Sequence, residues 1–152
     1  MFLTSLQSWA QRVRGWLEFA APVLDLAIRL HVARAFLLSG LTKLRDWDTT
    51  LLLFREEYHV PLLPTSLAAA LATCGELGLP VLLAAGLASR FAAAGLSVLN
   101  VVAVVSYWHV LHDQEAALQQ HFYWGVLLAV ILFHGPGKLA LDELVWRRAR
   151  YA

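Results

Sequence analysis

Cysteine is almost absent from this 152-residue chain: Cys74 stands alone. That excludes an internal disulfide, a CxxC redox pair and a cysteine-rich metal site. Charge is scarce as well. Only 15% of the residues are charged and the formal net charge is +1, so the balance calls for no nucleic acid and no acidic partner. The chain shows no repeat at the roughly 20–50 residue period of repeat architectures, no low-complexity linker and no second domain. The opening residues do not form a signal-peptide pattern, because Arg12 and Arg14 follow an interrupted apolar pattern instead of preceding a continuous one.

What the chain does have is apolar surface. It is 59% hydrophobic with a mean hydropathy of +0.60, which makes the lipid bilayer its expected solvent. Four segments, about 20–41, 65–88, 91–111 and 120–141, each approach the roughly 20 residues needed to cross a hydrocarbon core of about 30 Å. In the fourth, the clean apolar run is only Phe122 to Phe133, so a span there takes in either the polar stretch before it or the GPG after it. The expected fold is an all-α membrane protein, a four-transmembrane-helix bundle with interfacial amphipathic helices at the N-terminus, in the first outer loop and at the C-terminus. A soluble helical bundle is the alternative, since buried core helices can be equally apolar.

The chain divides into an interfacial helix over residues 1–20, the membrane domain over 21–144 and a basic tail over 145–152. Phe2, Leu6, Trp9, Val13, Trp16 and Ala20 recur at helical spacing, with Gln7, Gln11, Arg12 and Arg14 elsewhere on the wheel. Loop charges set the orientation. With the N-terminus inside, the cytoplasmic basic residues are Arg12, Arg14, Arg90, Lys138, Arg147, Arg148 and Arg150, against Lys43, Arg45 and Arg55 outside. The positive-inside rule therefore places both termini in the cytoplasm of a multi-pass inner-membrane protein. In the long outer connection Asp46 and Asp48 can cap a helix through TTLLLFREEY, on which Trp47, Leu51, Phe54 and Tyr58 share a face. Pro61 and Pro64 then end it and begin the second span.

Ionised side chains within the spans need partners, because each costs about 2.5–3.5 kcal/mol at the bilayer centre. Arg29 has Asp25 four residues earlier, and both can snorkel to the cytoplasmic face. Arg34 has no such neighbour. The carboxylate at matching depth is Glu76, within about one helical turn in height, and three readings stand: a pair that fixes helix register, a site for a polar ligand or a proton, and no contact. Asn100 and Tyr107, with Ser97, share a face of the third span. Thr73 sits near Glu76, Pro80 frees the Glu76 carbonyl, and Ala70, Cys74 and Gly78 form a smooth ridge for a neighbouring helix. The plain alternative for all of these is helix–helix adhesion. His109, His112 and His121 gather at the outer mouth with His59 in the loop. They are candidates for a metal or haem site, although HxxH spacing also arises by chance. Near the C-terminus, Asp142 is placed to cap a short final helix carrying RRAR.

Together these features resemble the DoxX family of small four-span membrane proteins, over about residues 24 to 144. The residues that carry the resemblance are Arg34 with the following FLLSGLTKL, hence Gly40 and Lys43; the Glu76 of CGELGLPVLLAAGLASR, with Gly86 and Arg90; and GPGKLALDEL, with Gly135, Gly137 and Asp142. The family takes its name from a subunit associated with an archaeal quinol oxidase. Relatives are linked to thiol or thiosulfate oxidation coupled to quinone, and a further group, similar in its EYHVPLLP-like loop, is encoded beside enzymes that modify small metal-binding peptides. The resemblance therefore implies an accessory subunit of a quinone- or thiol-linked redox system, with a membrane or periplasmic protein partner and a polar pocket around Arg34 and Glu76 in which Asn100 and Tyr107 orient the ligand. Quinone is the implied cofactor, with haem or a metal ion as the alternatives. The competing reading is a non-catalytic membrane partner or carrier in metal stress or metal-binding peptide pathways. No catalytic residue is assigned, and without a cysteine pair any electron transfer calls for a bound quinone or a partner's cofactor.

Overall fold

A computed structural model describes residues 2–58, 60, 62–143 and 145; for residues 2–6 and 8 it describes the backbone alone. Among the described residues six helices are delimited: α1 (Phe2–Arg45), α2 (Trp47–Glu56), α3 (Thr65–Ala85), α4 (Ser89–Ser106), α5 (Trp108–Leu111) and α6 (Glu115–His134), and residues 141–143 and 145 are helical as well. Among the described residues there is no strand.

The helix limits differ from the sequence-based ones in instructive ways. α1 runs on through residue 20 and Pro22, where a separate N-terminal helix was expected to end. Pro22 removes a single amide donor, and the chain tolerates that loss without a break. At 44 residues this helix is about 66 Å long, roughly twice a hydrocarbon core. From Trp9 to Ala21 every residue is exposed, so this stretch stands clear of the packed helices. The third apolar segment ends earlier than residue 111, because Tyr107 leaves helical geometry (φ −113°, ψ 18°) and divides α4 from α5. The fourth resolves its ambiguity towards the polar side. α6 begins at Glu115 and stops at Gly135, whose φ of 103° an L-residue rarely adopts.

Asp46 caps α2, accepting hydrogen bonds from the Thr49 amide at 3.0 Å and the Thr49 hydroxyl at 2.7 Å. Asp48 lies in the first turn instead. The apolar face of α2 is partly buried: Phe54, with Leu51 and Tyr58, packs on Ala68 and Ala69 of α3.

The four long helices pack in the order α1, α3, α4, α6, with α1 also touching α6; α5 bridges α4 and α6. α1 and α3 run antiparallel, since Arg29 meets Leu83 whereas Lys43 meets Glu76. Val32, Ala33, Phe36, Leu83, Ala92, Ala93, Leu96, Leu128 and Ile131 form the core. Small residues bring the helices close where it matters. A Cβ on Gly40 would sit 3.0 Å from Glu76, one on Gly75 would be 2.7 Å from Leu99, and one on Gly95 would be 2.7 Å from Leu79. The expected ridge of Ala70, Cys74 and Gly78 does not serve this purpose. Cys74 is exposed, and a Cβ on Gly78 would meet nothing within 4 Å, because the adjoining face, with Gly75 and Glu76, is the one turned inward.

Three helices, α3, α4 and α6, are long and apolar enough to cross a membrane. α1 does not meet the same measure, since Arg29 and Arg34 lie in its central part with Asp25 before them and Lys43 after. The C-terminal RRAR and His59 lie outside the described residues.

Candidate functional site

The half of the bundle that carries α2 encloses a cavity of about 430 Å³. Its wall is mostly apolar. Phe36 from α1, Phe54 from α2, Leu71 and Ala72 from α3, Val98 and Val102 from α4, and Trp124 from α6 supply that surface. Into it project Ser39, Lys43, Tyr58, Glu76, Ser106, Tyr107 and His121. Apolar lining with a few convergent polar groups is the usual form of a small-molecule site.

The strongest polar feature is an ion pair. Lys43 Nζ donates to Glu76 Oε2 at 2.7 Å and Oε1 at 3.0 Å, and to Ser39 Oγ at 2.9 Å. Both side chains retain a little exposure, 17% for Lys43 and 12% for Glu76, so the pair borders the cavity instead of being sealed beneath it. This corrects the expected Arg34–Glu76 pair. Arg34 and Lys43 are nine residues apart, which at about 100° per residue puts them on opposite sides of α1. Lys43 shares the inward face with Phe36 and Gly40, whereas Arg34 is exposed and does not line the cavity. Matching the two residues by depth ignored the face each occupies.

Above the pair, aromatic rings gather. Tyr58 and Tyr107 have ring centroids 4.8 Å apart, and Tyr107 meets His109 edge-on at 5.7 Å. Burial first, and then Tyr107, Glu76 and Glu57, push the Tyr58 phenol above its ordinary range, so at neutral pH it keeps its proton and remains a donor. Asn100 does not face the ligand space directly. Its Nδ2 donates to the His121 carbonyl at 2.9 Å, and its Oδ1 lies 2.8 Å from His121 Nδ1. The acceptor Oδ1 requires the proton on Nδ1, which leaves His121 Nε2 as an acceptor. Asn100 therefore sets the orientation of a histidine that lines the cavity.

The other outer histidines disperse. His112 takes the Trp108 carbonyl and lies 3.2 Å from Asp113, while His109 packs on Tyr107. Among the described residues, no three His, Cys, Asp or Glu side chains stand where they could hold a metal together.

The opposite end is held by Arg29, which is 0% exposed. Its Nη1 donates to the carbonyls of Leu83 at 3.3 Å and Ala84 at 3.2 Å, and its Nη2 donates to that of Leu139 at 2.6 Å. Arg29 therefore does not snorkel to a membrane surface on Asp25. It satisfies carbonyls of the last turn of α3, which ends at the left-handed Gly86. Asp142 likewise has a role other than capping a final helix. Its carboxylate accepts the amides of Ala88 and Ser89, both at 2.8 Å, and so caps α4. Burial raises the Asp142 pKa, but the Ser89 and Ala88 bonds and the charge of Arg29 outweigh it, holding the carboxyl below the usual range.

The remaining residues singled out in the sequence fall at this end. Gly86 has φ 73°, and a Cβ there would lie 2.7 Å from Ala140 Cα. Gly137 (φ 81°) has Asp25 where its Cβ would go, and Gly135 lies beside Arg90. Asp25, Arg90, Lys138, Asp142 and Glu143 line an open groove there. Sequence reasoning missed Ser39, Tyr58 and Ser106 as wall residues and Arg29 as a buried anchor. The available signal was helical phase: Arg29, Val32, Phe36, Gly40 and Lys43 return to one side of α1.

A sequence model of one family, DoxX, matches residues 24–109, more than half of the chain. The match takes in Arg34, Gly40, Lys43, Glu76, Gly86 and Arg90 and ends before Gly135, Gly137 and Asp142. No curated protein and no solved structure matches.

Proposed function

The chain belongs to the DoxX family, and from that premise we propose that it is an integral inner-membrane accessory subunit of a redox system whose cavity binds a quinone head group. The observation that supports this reading is the cavity of about 430 Å³, apolar over most of its wall and bordered by the Lys43–Glu76 pair. The donor set suits such a group: Tyr58 offers a hydrogen bond to a ring oxygen, Lys43 places a positive charge beside it while its N–H donors are held by Ser39 and Glu76, and His121 Nε2 accepts a hydrogen bond from a hydroxyl oxygen. A quinone, when bound, supplies two-electron redox chemistry that no side chain of this chain provides. The chain's own part is to bind, to orient and, through Glu76 and His121, to exchange a proton at the head group.

In this reading α1 crosses the bilayer beside α3, α4 and α6, giving four spans. Of its charges, Arg29 is compensated by the carbonyls around it and Lys43 by Glu76, while Arg34 is exposed on the opposite side of α1. Residues 9–20 continue α1 past the packed helices into the inner head-group region, where Trp9 and Trp16 meet lipid and Arg12 and Arg14 meet anionic head groups. Loop charge puts both termini in the cytoplasm. The electron donor or acceptor is a membrane or periplasmic protein partner.

The test is direct. Protein purified in mild detergent should carry extractable quinone near one equivalent, and Lys43→Met and Glu76→Gln should lose it while still accumulating in the membrane. A haem band or one equivalent of metal would overturn the reading. Retention of full quinone by both variants would remove the cavity from it.

A further inference from the structure

The cavity wall is closed on most sides and open on one. Its residues from α1 and α6 are buried or half-buried, and those most open to the surroundings lie together. They are Leu71 of α3 at 52% exposure, Val98 of α4 at 63%, and Leu63 just before α3 at 40%. α3 and α4 are pressed together lower down, where Gly75 receives Leu99 and Gly95 receives Leu79. Leu71, one turn before Gly75, and Val98, beside Leu99, both line the cavity and are exposed, so its apolar wall reaches the surface at this seam.

A second observation lies deeper in the same cavity. Ser106 is 2% exposed and lines the wall, yet its Oγ has no hydrogen-bond partner among the described residues. A buried hydroxyl without a partner costs roughly 1–3 kcal/mol, so proteins seldom leave one unless something else completes it. Ser106 is at the last turn of α4, next to Tyr107.

We infer that the ligand enters from the bilayer between α3 and α4, keeps its apolar tail at the seam between Leu71 and Val98, and presents a head-group oxygen to Ser106. This rests on the quinone-class reading above and adds the route and the deepest polar contact. Size supports it. A cavity of about 430 Å³ lies towards the small end of the range of roughly 300–1,000 Å³ seen for small-molecule sites. It holds a ring-sized head and not a long tail, so a membrane quinone bound there must let its tail leave the protein. Among the described residues, the wall side chains that are both apolar and exposed are Leu63, Leu71 and Val98, and the last two place that exit between α3 and α4.

The experiment uses purified full-length protein and two probes, a benzoquinone bearing a decyl tail and the same ring with a methyl group in its place. Affinities are measured by titration calorimetry. The decyl probe should bind at least about tenfold more tightly, from burial of its first methylenes. Leu71→Trp and Val98→Trp fill the seam, and each should remove that advantage, weakening the decyl probe about tenfold more than the methyl probe. Ser106→Ala should weaken both probes by about tenfold, the loss of one hydrogen bond. It should leave the melting temperature of the ligand-free protein unchanged or raised, because the hydroxyl has no partner to lose. A tail advantage that survives both tryptophans, or an equal loss of both probes, overturns the lateral exit. Unchanged affinities in Ser106→Ala overturn its assignment. If the wild-type protein binds neither ring, the quinone reading itself falls and this inference with it; if it binds both equally, the reading stands and only the exit fails.

Discussion

The two ends of this protein use the same device, a basic residue on the inward face of α1, to opposite effect. At one end Arg29 is enclosed and bonded to three backbone carbonyls, while Asp142 closes the neighbouring helix start. At the other end Lys43 meets one carboxylate at the edge of a cavity. The guanidinium fork suits several fixed carbonyls at once, whereas an ammonium on a flexible stem suits a partner that has to be shared or exchanged. The comparison separates a structural lock from a site: at the first the guanidinium is taken up by fixed carbonyls, although Arg29 Nε is buried there without a partner among the described residues, and at the second Ser106 and His121 line a cavity and retain bonding capacity.

The comparison can be broken most severely at the locked end. Arg29→Ala takes a donor from three carbonyls, of which among the described residues only Leu83's keeps another in the Gly86 amide, and should cost about 4 kcal/mol. It should be read as a collapse of the thermal transition in detergent, and Arg29→Lys should rescue little, since an ammonium cannot reproduce the fork. Gly86→Ala comes next, at about 2–4 kcal/mol. It combines a left-handed backbone with a Cβ overlapping Ala140, and the same melt measures it. If either change is silent, this end is not a lock.

At the cavity end, Lys43→Met should cost about 2 kcal/mol by leaving the Glu76 carboxylate without its counter-ion. Pairing it with Glu76→Gln should cost less than the sum of the two single changes, as a double-mutant cycle would show. Asp142→Asn should cost about 1 kcal/mol through the weakened α4 cap. Its pH dependence has a definite sign. The folded pKa lies below the unfolded one, so the carboxylate's contribution is fully present above the ordinary Asp pKa of about 3.9. It is lost as pH falls through the lower folded value. Wild type should thus lose its stability margin over Asp142→Asn in acid melts, and an unchanged margin would sink the cap. Arg34→Gln should change stability least, by under about 0.5 kcal/mol, because Arg34 is exposed on the far side of α1. A large loss of stability or of bound quinone in that variant would restore Arg34 to the site.

Much of the fold was legible because it follows from local rules. Apolar length marked out α3, α4 and α6, and Asp46 announced α2. The site was legible only in part. Glu76 and Tyr107 were found because polar residues in an apolar run stand out, and His121 because histidines do. Lys43 was read as one of the basic residues on the outer side. It lies at the end of the apolar stretch, where a lysine ordinarily faces water, and only its phase with Phe36 and Gly40 pointed inward. Ser106 gave no signal at all, since one serine in a helix ordinarily bonds to its own backbone.

What the sequence determined by itself was an all-helical chain with the composition of a membrane protein, because hydropathy and helix signals act over a few turns. What only the tertiary structure decided was which basic residue meets Glu76, which carbonyls Arg29 satisfies and where the wall opens. Each of those depends on the relative rotation of neighbouring helices. That rotation is fixed by close contacts such as Gly40 on Glu76 and Gly75 on Leu99, between residues far apart in the chain.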